Sequence, residues 1–204
     1  MPAVTARLIR TARLDLQPLR VTHAAEMAGV LADRGLYTFT GGSPPTAAGL
    51  RARYQRWGAG APDPAVSWCN WVIRLRAERR PAGPVLAGTV LAGPVLAGPV
   101  LGGPVLVGPV LVGTVQATVT GPAGARAAEI AWVVGAAWQG RGIGGEAARG
   151  LVGWLRQLPV RTITAYIHPD HHASAGVARA AGLSPTGRRR DGEVRWQLEI
   201  SGPP

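Results

Sequence analysis

The chain reads as an α/β domain built on one mixed sheet, and three observations lead there. Strand-like and helix-like periodicities alternate along its 204 residues. Patterns fit for antiparallel hairpins stand before and after that alternation. Between them, residues 128–149 read AEIAWVVGAAWQGRGIGGEAAR, an apolar β-branched run, a glycine turn and then a helix pattern. The length suits a single domain with a sizeable core, and 47% hydrophobic content argues against a disordered chain.

Leu14 to Leu19 reads as the first strand, with Leu14, Leu16 and Leu19 apolar. Thr22 is placed to cap a helix running to about Leu31. Leu36 to Thr40 is short and aromatic, and Gly41-Gly42-Ser43-Pro44-Pro45 is a loop. Thr46 caps a second helix to about Trp57. Trp68 to Arg76 (WCNWVIRLR) alternates as a strand, and Gly113 to Thr120 is its hairpin partner. The strand Glu129 to Val134 comes next, followed after the glycine turn by a helix to Leu158. A strand from Thr162 to Ile167, a helix from about Ala173 to Ala181 and a last strand from Glu193 to Ile200 complete the pattern.

The middle of the chain repeats in fives from Gly83: GPVLA, GTVLA, GPVLA, GPVLG, GPVLV, GPVLV, GTVQA. No charged residue occurs between Pro81 and Arg126, and length and apolarity alone would suggest a membrane span. The prolines at 84, 94, 99, 104 and 109 argue against it, since each removes a helix hydrogen bond and clashes with the preceding turn. An odd period also turns the face of a strand at every copy. Segments Gly83–Val90 and Gly108–Val115 are nearly identical and lie 25 residues, or five copies, apart. The segment from about Ala82 to Gly108 is therefore read as a low-complexity insertion by tandem duplication in one hairpin loop, interrupting a domain that spans 1–204.

The glycine turn carries the chemistry. Backbone N–H groups at a helix start lack internal partners and point at an anion, and the helix dipole adds to this. A nucleotide-hydrolase loop needs G-x-x-x-x-G-K-[ST], and this chain has no lysine. A dinucleotide fingerprint needs G-x-G-x-x-G and an acid about twenty residues on, and Gly140-x-Gly142-x-Gly144 has the wrong third step. What remains is Q-x-x-G-x-G at Gln139–Gly144, after a strand carrying Glu129.

That string resembles the acetyl-coenzyme A loop of the GNAT N-acetyltransferases. The opening TARLDLQPLRVTHAAEMAGVL resembles the first strand and helix of the RimJ/RimL-like branch of that family. Residues 161–183, RTITAYIHPDHHASAGVARAAGL, resemble the family's second motif, a strand followed by N-x-x-S and a helix ending in Gly-Phe or Gly-Leu. Ser174 matches the serine and Gly182-Leu183 the ending, while His171 stands where the family usually has asparagine. The resemblance covers nearly the whole chain apart from the insertion. It implies a GNAT acyl-coenzyme A N-acyltransferase-like fold and an N-acetyltransferase that passes the acetyl group of acetyl-coenzyme A to a primary amine by direct attack.

On that resemblance, Glu129 is the first candidate for the base, acting through water, with a surface salt bridge as the competing role. A backbone N–H from Trp132, Val133 or Val134 would hold the thioester carbonyl. Gln139, Gly140, Arg141, Gly142, Ile143 and Gly144 would bind the pyrophosphate, mostly through backbone, with Arg141 the charged side chain placed to reach it. Glu146, in the first helical turn, would face away. Ser174 is either a helix cap or the acid that protonates the departing thiolate, because Ala178 replaces the tyrosine that other branches use. His171 would touch the pantetheine arm, and Tyr37 and Trp71 would line the acceptor pocket. His168, His171 and His172 form H-x-x-H-H in a loop, a poor frame for zinc, and no metal is expected.

Composition bounds the partners. All 22 basic residues are arginine, and the net charge of +11 suits a polyanionic cosubstrate. Arg188-Arg189-Arg190, followed by Asp191 and Glu193, reads as a solvated turn, and without interleaved aromatics nucleic acid is not an expected partner. The single cysteine, Cys69, permits no internal disulfide and fits a reducing compartment, so a cytoplasmic location is expected, with no signal peptide and no membrane anchor. Monomer and homodimer stay open. Two rivals also remain: a non-catalytic coenzyme A-binding module on the same fold, and a basic interaction protein held by the repeat, which would bind no cofactor.

Overall fold

The structure, a computed structural model, describes residues 3–76, 78–79, 106–107, 109–122 and 124–200. In chain order the elements are β1 (Ile9–Arg10), β2 (Leu14–Pro18), α1 (Ala24–Val30), α2 (Ala47–Gly58), β3 (Ser67–Leu75), β4 (Glu78–Arg79), β5 (Leu106–Val107), β6 (Val110–Thr120), β7 (Arg126–Val134), α3 (Ile143–Leu155), β8 (Val160–Ile167), α4 (His172–Ala180), β9 (Ser184–Arg190) and β10 (Glu193–Glu199). Eight strands form one sheet in the order β1-β2-β3-β6-β7-β8-β10-β9. Every pairing is antiparallel except β7 with β8. The expected mixed sheet is present, and the parallel pair falls where a helix crosses over between two strands.

Alternation along the strands sorts side chains onto two faces. Trp71, Ile73, Val115, Ala128, Ile130 and Ile163 pack with Ala147, Leu151 and Leu155 of α3 on one face. Val72 and Leu111 pack with Met27 of α1 and Leu50 and Tyr54 of α2 on the other. A bulge in β6 makes this sorting possible. Ile73 pairs with Gly113 and Arg74 with Leu111, so Val112 is an extra residue. Val112 turns toward α3, Leu111 turns toward α1, and the Leu111 N–H is taken by Glu26 Oε1 of α1 at 2.7 Å.

Local expectations fare unevenly. Thr46 accepts the Gly49 N–H at 3.0 Å and caps α2 as read. Thr22 does not cap α1; it lies inside a 3-10 turn, Val21–His23, and the His23 imidazole accepts the Arg20 N–H at 3.1 Å. The arginine run is not a turn either. Arg188 to Arg190 form the end of β9, an exposed edge strand, and the turn is Asp191-Gly192 with both residues at positive φ. Of the repeat, residues 83–105 and 108 lie outside the described residues, whereas Leu106–Val107 form β5 and the last two copies run into β6. At its margins Glu78 pairs with Val107 and Arg79 with Leu106, extending the β3–β6 hairpin.

Candidate functional site

β7 and β8 run together only at their starts. Their pairing goes from Arg126↔Val160 to Glu129↔Thr164 and stops. Beyond it the strands diverge, and Ile130–Val134 and Ala165–Ile167 become opposite walls of a cavity of about 770 Å³, a volume in the range of small-molecule sites. The glycine turn and the start of α3 form a further wall, α4 contributes His172, Ser174 and Val177, and the segment of Leu36, Phe39 and Thr40 reaches in from the other layer.

The divergence leaves strand backbone without a partner strand. The Gly135 N–H reaches Val112 O at 2.9 Å, so that residue faces β6. The Val133 carbonyl faces β6 too: a Cβ on Gly113 would lie 2.2 Å from its oxygen, which is why only glycine fits at 113. In an extended strand successive residues point their polar groups to opposite sides. Trp132 and Val134 therefore turn theirs into the cleft. The Val134 carbonyl is taken by Gln139 Nε2 at 3.0 Å, which folds the turn back on the strand. The N–H groups of Trp132 and Val134 remain directed at the cavity, whereas that of Val133 is turned toward β6.

The turn itself is built for an anion. Gly140 and Gly142 sit at φ 71° and 72°, in the left-handed region that favours glycine. Gly142 is the residue before α3 and brings no side-chain cap, so the first N–H groups of the helix meet the cavity bare. Gly144 serves packing as well: a Cβ there would stand 3.0 Å from Val177 of α4. Arg141 is not among the residues lining the cavity. Its guanidinium lies over the Trp138 ring, 4.9 Å from the centroid, and Trp138 lines the cavity.

A feature missed in the sequence braces this turn from below. Glu146 does face away from the cavity, as expected, but onto Arg13, in the turn between β1 and β2. Its carboxylate accepts Thr11 Oγ1 at 2.6 Å, the Arg13 N–H at 2.7 Å and Arg13 Nε at 2.7 Å. Arg13 then donates to the Arg141 carbonyl at 3.2 Å. Burial pushes the Glu146 carboxyl up, but these hydrogen bonds and the Arg13 charge outweigh it, and its pKa is held below the usual carboxylate range.

Four expected site residues stand elsewhere or act otherwise. The Glu129 carboxylate is held by Arg190 in a two-pronged pair at 2.7 and 2.9 Å and is absent from the cavity lining. It lies in the part of β7 that is still paired with β8, before the strands diverge. Trp71 is fully buried beneath α3, edge-on to Trp154 at 5.0 Å, with its indole N–H on the Arg7 carbonyl at 2.7 Å; it is core, not acceptor pocket. Tyr37 spends its hydroxyl on the Leu31 carbonyl at 2.9 Å, and its neighbours Leu36 and Phe39 line the cavity instead. Ser174 caps nothing, because α4 begins after His171, and Ser174 is its third residue. Its oxygen accepts the Trp132 indole N–H at 3.3 Å, which leaves its own hydrogen to donate.

Trp132, Val133, Val134, Gln139, Gly140, Gly142, Ile143, Gly144, His171 and Ser174 all line the cavity. Phe39 stacks on His171, centroids 4.5 Å apart, and lies 5.2 Å from His168. His168 Nδ1 accepts the Asp170 N–H at 3.2 Å. Among the described residues no three His, Cys, Asp or Glu side chains are placed to share a metal ion, and no helix is long and apolar enough to cross a membrane.

Residues 104–184 match the acetyltransferase (GNAT) domain model. No curated protein matches the chain. Solved structures do. An acetyltransferase of the GNAT family from Bacillus anthracis is 15% identical with TM-score 0.63, over 95% of this chain and 98% of that one. RimL, a ribosomal L7/L12 alpha-N-protein acetyltransferase in complex with coenzyme A, is 14% identical with TM-score 0.64, over 95% and 98%. An aminoglycoside acetyltransferase in complex with coenzyme A is 17% identical with TM-score 0.58, over 91% and 94%. At these identities the structural likeness is one of fold, and the fold is that of the GNAT acyltransferases. With the matched domain, it marks the chain as an acetyl-coenzyme A-dependent acyltransferase.

Proposed function

We propose that this chain, with a GNAT acetyltransferase domain match and the corresponding fold, transfers the acetyl group of acetyl-coenzyme A to a primary amine by direct attack in a ternary complex. The observation that carries the reading is the shared cavity of the diverging β7 and β8 and the bare N-terminus of α3. The pyrophosphate would lie on the turn of Gln139, Gly140, Gly142, Ile143 and Gly144, with Arg141 at the rim beside Trp138. The pantetheine arm would run between the strands, past His171. The N–H of Trp132 or Val134 would hold the thioester carbonyl and the negative charge that develops on its oxygen. Ser174 would supply the proton for the departing thiolate.

Direct transfer is also favoured by the lone cysteine. Cys69 is buried in the β3 core, outside the cavity, and burial pushes its thiol up to about 11, so it makes a poor acyl carrier. The acceptor is a protein N-terminal amine or a small amine, with Leu36, Phe39 and Thr40 in place of Tyr37 and Trp71 as its wall. A RimJ/RimL-like preference for protein N-termini is part of this reading.

The rival is a coenzyme A-binding module without catalysis, and the Arg190 pairing of Glu129 is the observation in its favour. Coenzyme A binding by calorimetry, together with thiol release from acetyl-coenzyme A in the presence of pooled N-terminal peptides, aminoglycosides and polyamines, separates the two. Binding with amine-dependent thiol release supports the transferase. Binding without release supports the module, and no binding removes both.

A further inference from the structure

The pairing of Glu129 with Arg190 leaves the acceptor amine without the expected proton acceptor, and the opposite wall of the cavity supplies one. We propose that His171 is the general base of the transfer, its imidazole taking the proton of the acceptor ammonium at the wall formed with Phe39. This rests on the acetyl-transfer reading above.

Three observations carry it. His171 lines the cavity directly before α4. Its ring is stacked on Phe39, which belongs to the segment that closes the cavity from the other layer, so the imidazole sits at the junction of the cofactor cleft and the outer wall. Its Nδ1 is buried and has no hydrogen-bond partner. A buried ring nitrogen without a partner costs stability unless a ligand supplies one. The titratable groups around the same cavity are Tyr166 from β8, His168 and Asp170 from the turn that follows it, His172 from the start of α4, and Glu193 from β10. Burial first, and then the neighbouring His168, hold the His171 imidazole below its ordinary range, so it is neutral and able to accept a proton at pH 7.

The step balances as follows. The imidazole takes one proton from the ammonium, and the freed lone pair forms the C–N bond at the thioester carbon. As the tetrahedral intermediate collapses, the C–S electron pair leaves on sulfur. The second nitrogen proton passes to the thiolate through Ser174, and the imidazolium returns its proton to water.

His171→Asn tests this, because asparagine is the residue the resembling family usually carries there and it keeps polar contact with a cofactor. The probe is acetyl-coenzyme A with the pooled peptides, aminoglycosides and polyamines, followed from pH 5.5 to 9.5. A base that accepts from the ammonium gives wild-type kcat/KM a plateau from its own pKa up to that of the amine. The variant is expected to lose about a hundred-fold or more near pH 7. Its rate should instead climb about tenfold per pH unit toward the amine's pKa, with the coenzyme A Kd within a few-fold of wild type. A variant with weakened coenzyme A binding and an unaltered pH profile would overturn the proposal and leave His171 as a cofactor contact. Absent amine-dependent turnover by the wild type, despite coenzyme A binding, both the acetyl-transfer reading and this proposal fall; a change missing only in the variant removes the proposal alone.

Discussion

Removing the carboxylate of Glu146 tests whether the brace beneath the cofactor turn holds the fold and the site together. In Glu146→Ala three hydrogen bonds to a charged acceptor disappear at once. Breaking a buried pair by removing one partner costs about 3–5 kcal/mol. Arg13 is 41% exposed and can recover water, while Glu146 is 11% exposed, so the lower end applies, about 3 kcal/mol. At about 2–4 °C per kcal/mol for a chain of this size, Tm should fall by about 6–12 °C. Burial raises and the hydrogen bonds more strongly lower the Glu146 pKa in the folded state. Its stabilisation is therefore present above the unfolded carboxyl value and is lost as pH falls through the folded one. The gap between wild type and variant should be widest at neutral pH and narrow on acidification. Because Arg13 also holds the Arg141 carbonyl, the rise in Tm on adding coenzyme A should shrink in the variant. The assay is thermal melting at pH 7 and pH 4, each with and without coenzyme A. A Tm drop under about 2 °C, or a gap that does not change with pH, would refute the reasoning.

Glu129→Gln should leave turnover within a few-fold of wild type and cost at most about 1 kcal/mol, since it breaks an exposed pair with Arg190; a loss of activity beyond a hundred-fold would return Glu129 to the chemistry. Arg141→Ala removes a charge from the rim and should weaken acetyl-coenzyme A binding about tenfold to a hundred-fold, read by calorimetry, with kcat little changed. Trp71→Ala opens a void under α3 and should cost about 3–5 kcal/mol in denaturant melts, with no selective effect on acceptor KM in any protein that remains folded. Deleting Gly83 to Val107 should leave folding and coenzyme A binding intact, because β3 and β6 pair without it; an insoluble product or one that no longer binds coenzyme A would refute the insertion reading.

Sequence alone determined the elements that local pattern controls. The periodicities of β3, β7, α3 and β8, the Thr46 cap and the glycine turn at Gln139–Gly144 were all legible, because each depends on residues within a turn or two of one another. The anion cradle was legible for the same reason: its N–H groups belong to consecutive residues. What the sequence misassigned was settled by partners distant in the chain. Glu129 and Arg190 are 61 residues apart and meet although β8 and β10 separate β7 from β9, the Arg190 guanidinium lying over the Tyr166 ring of β8 to reach the carboxylate. Trp71 lies on the face of β3 that α3 covers, and alternation in WCNWVIRLR cannot say which face that is. Arg13 and Glu146, 133 residues apart, meet only because β2 and α3 pack together. Phe39 and His171 likewise share a wall only because both layers end at the mouth of the same cleft. Short-range geometry is written in spacing. Which charge meets which, and which ring faces a cavity, depends on sheet order and on where β7 and β8 part, and those are fixed only when the whole core packs.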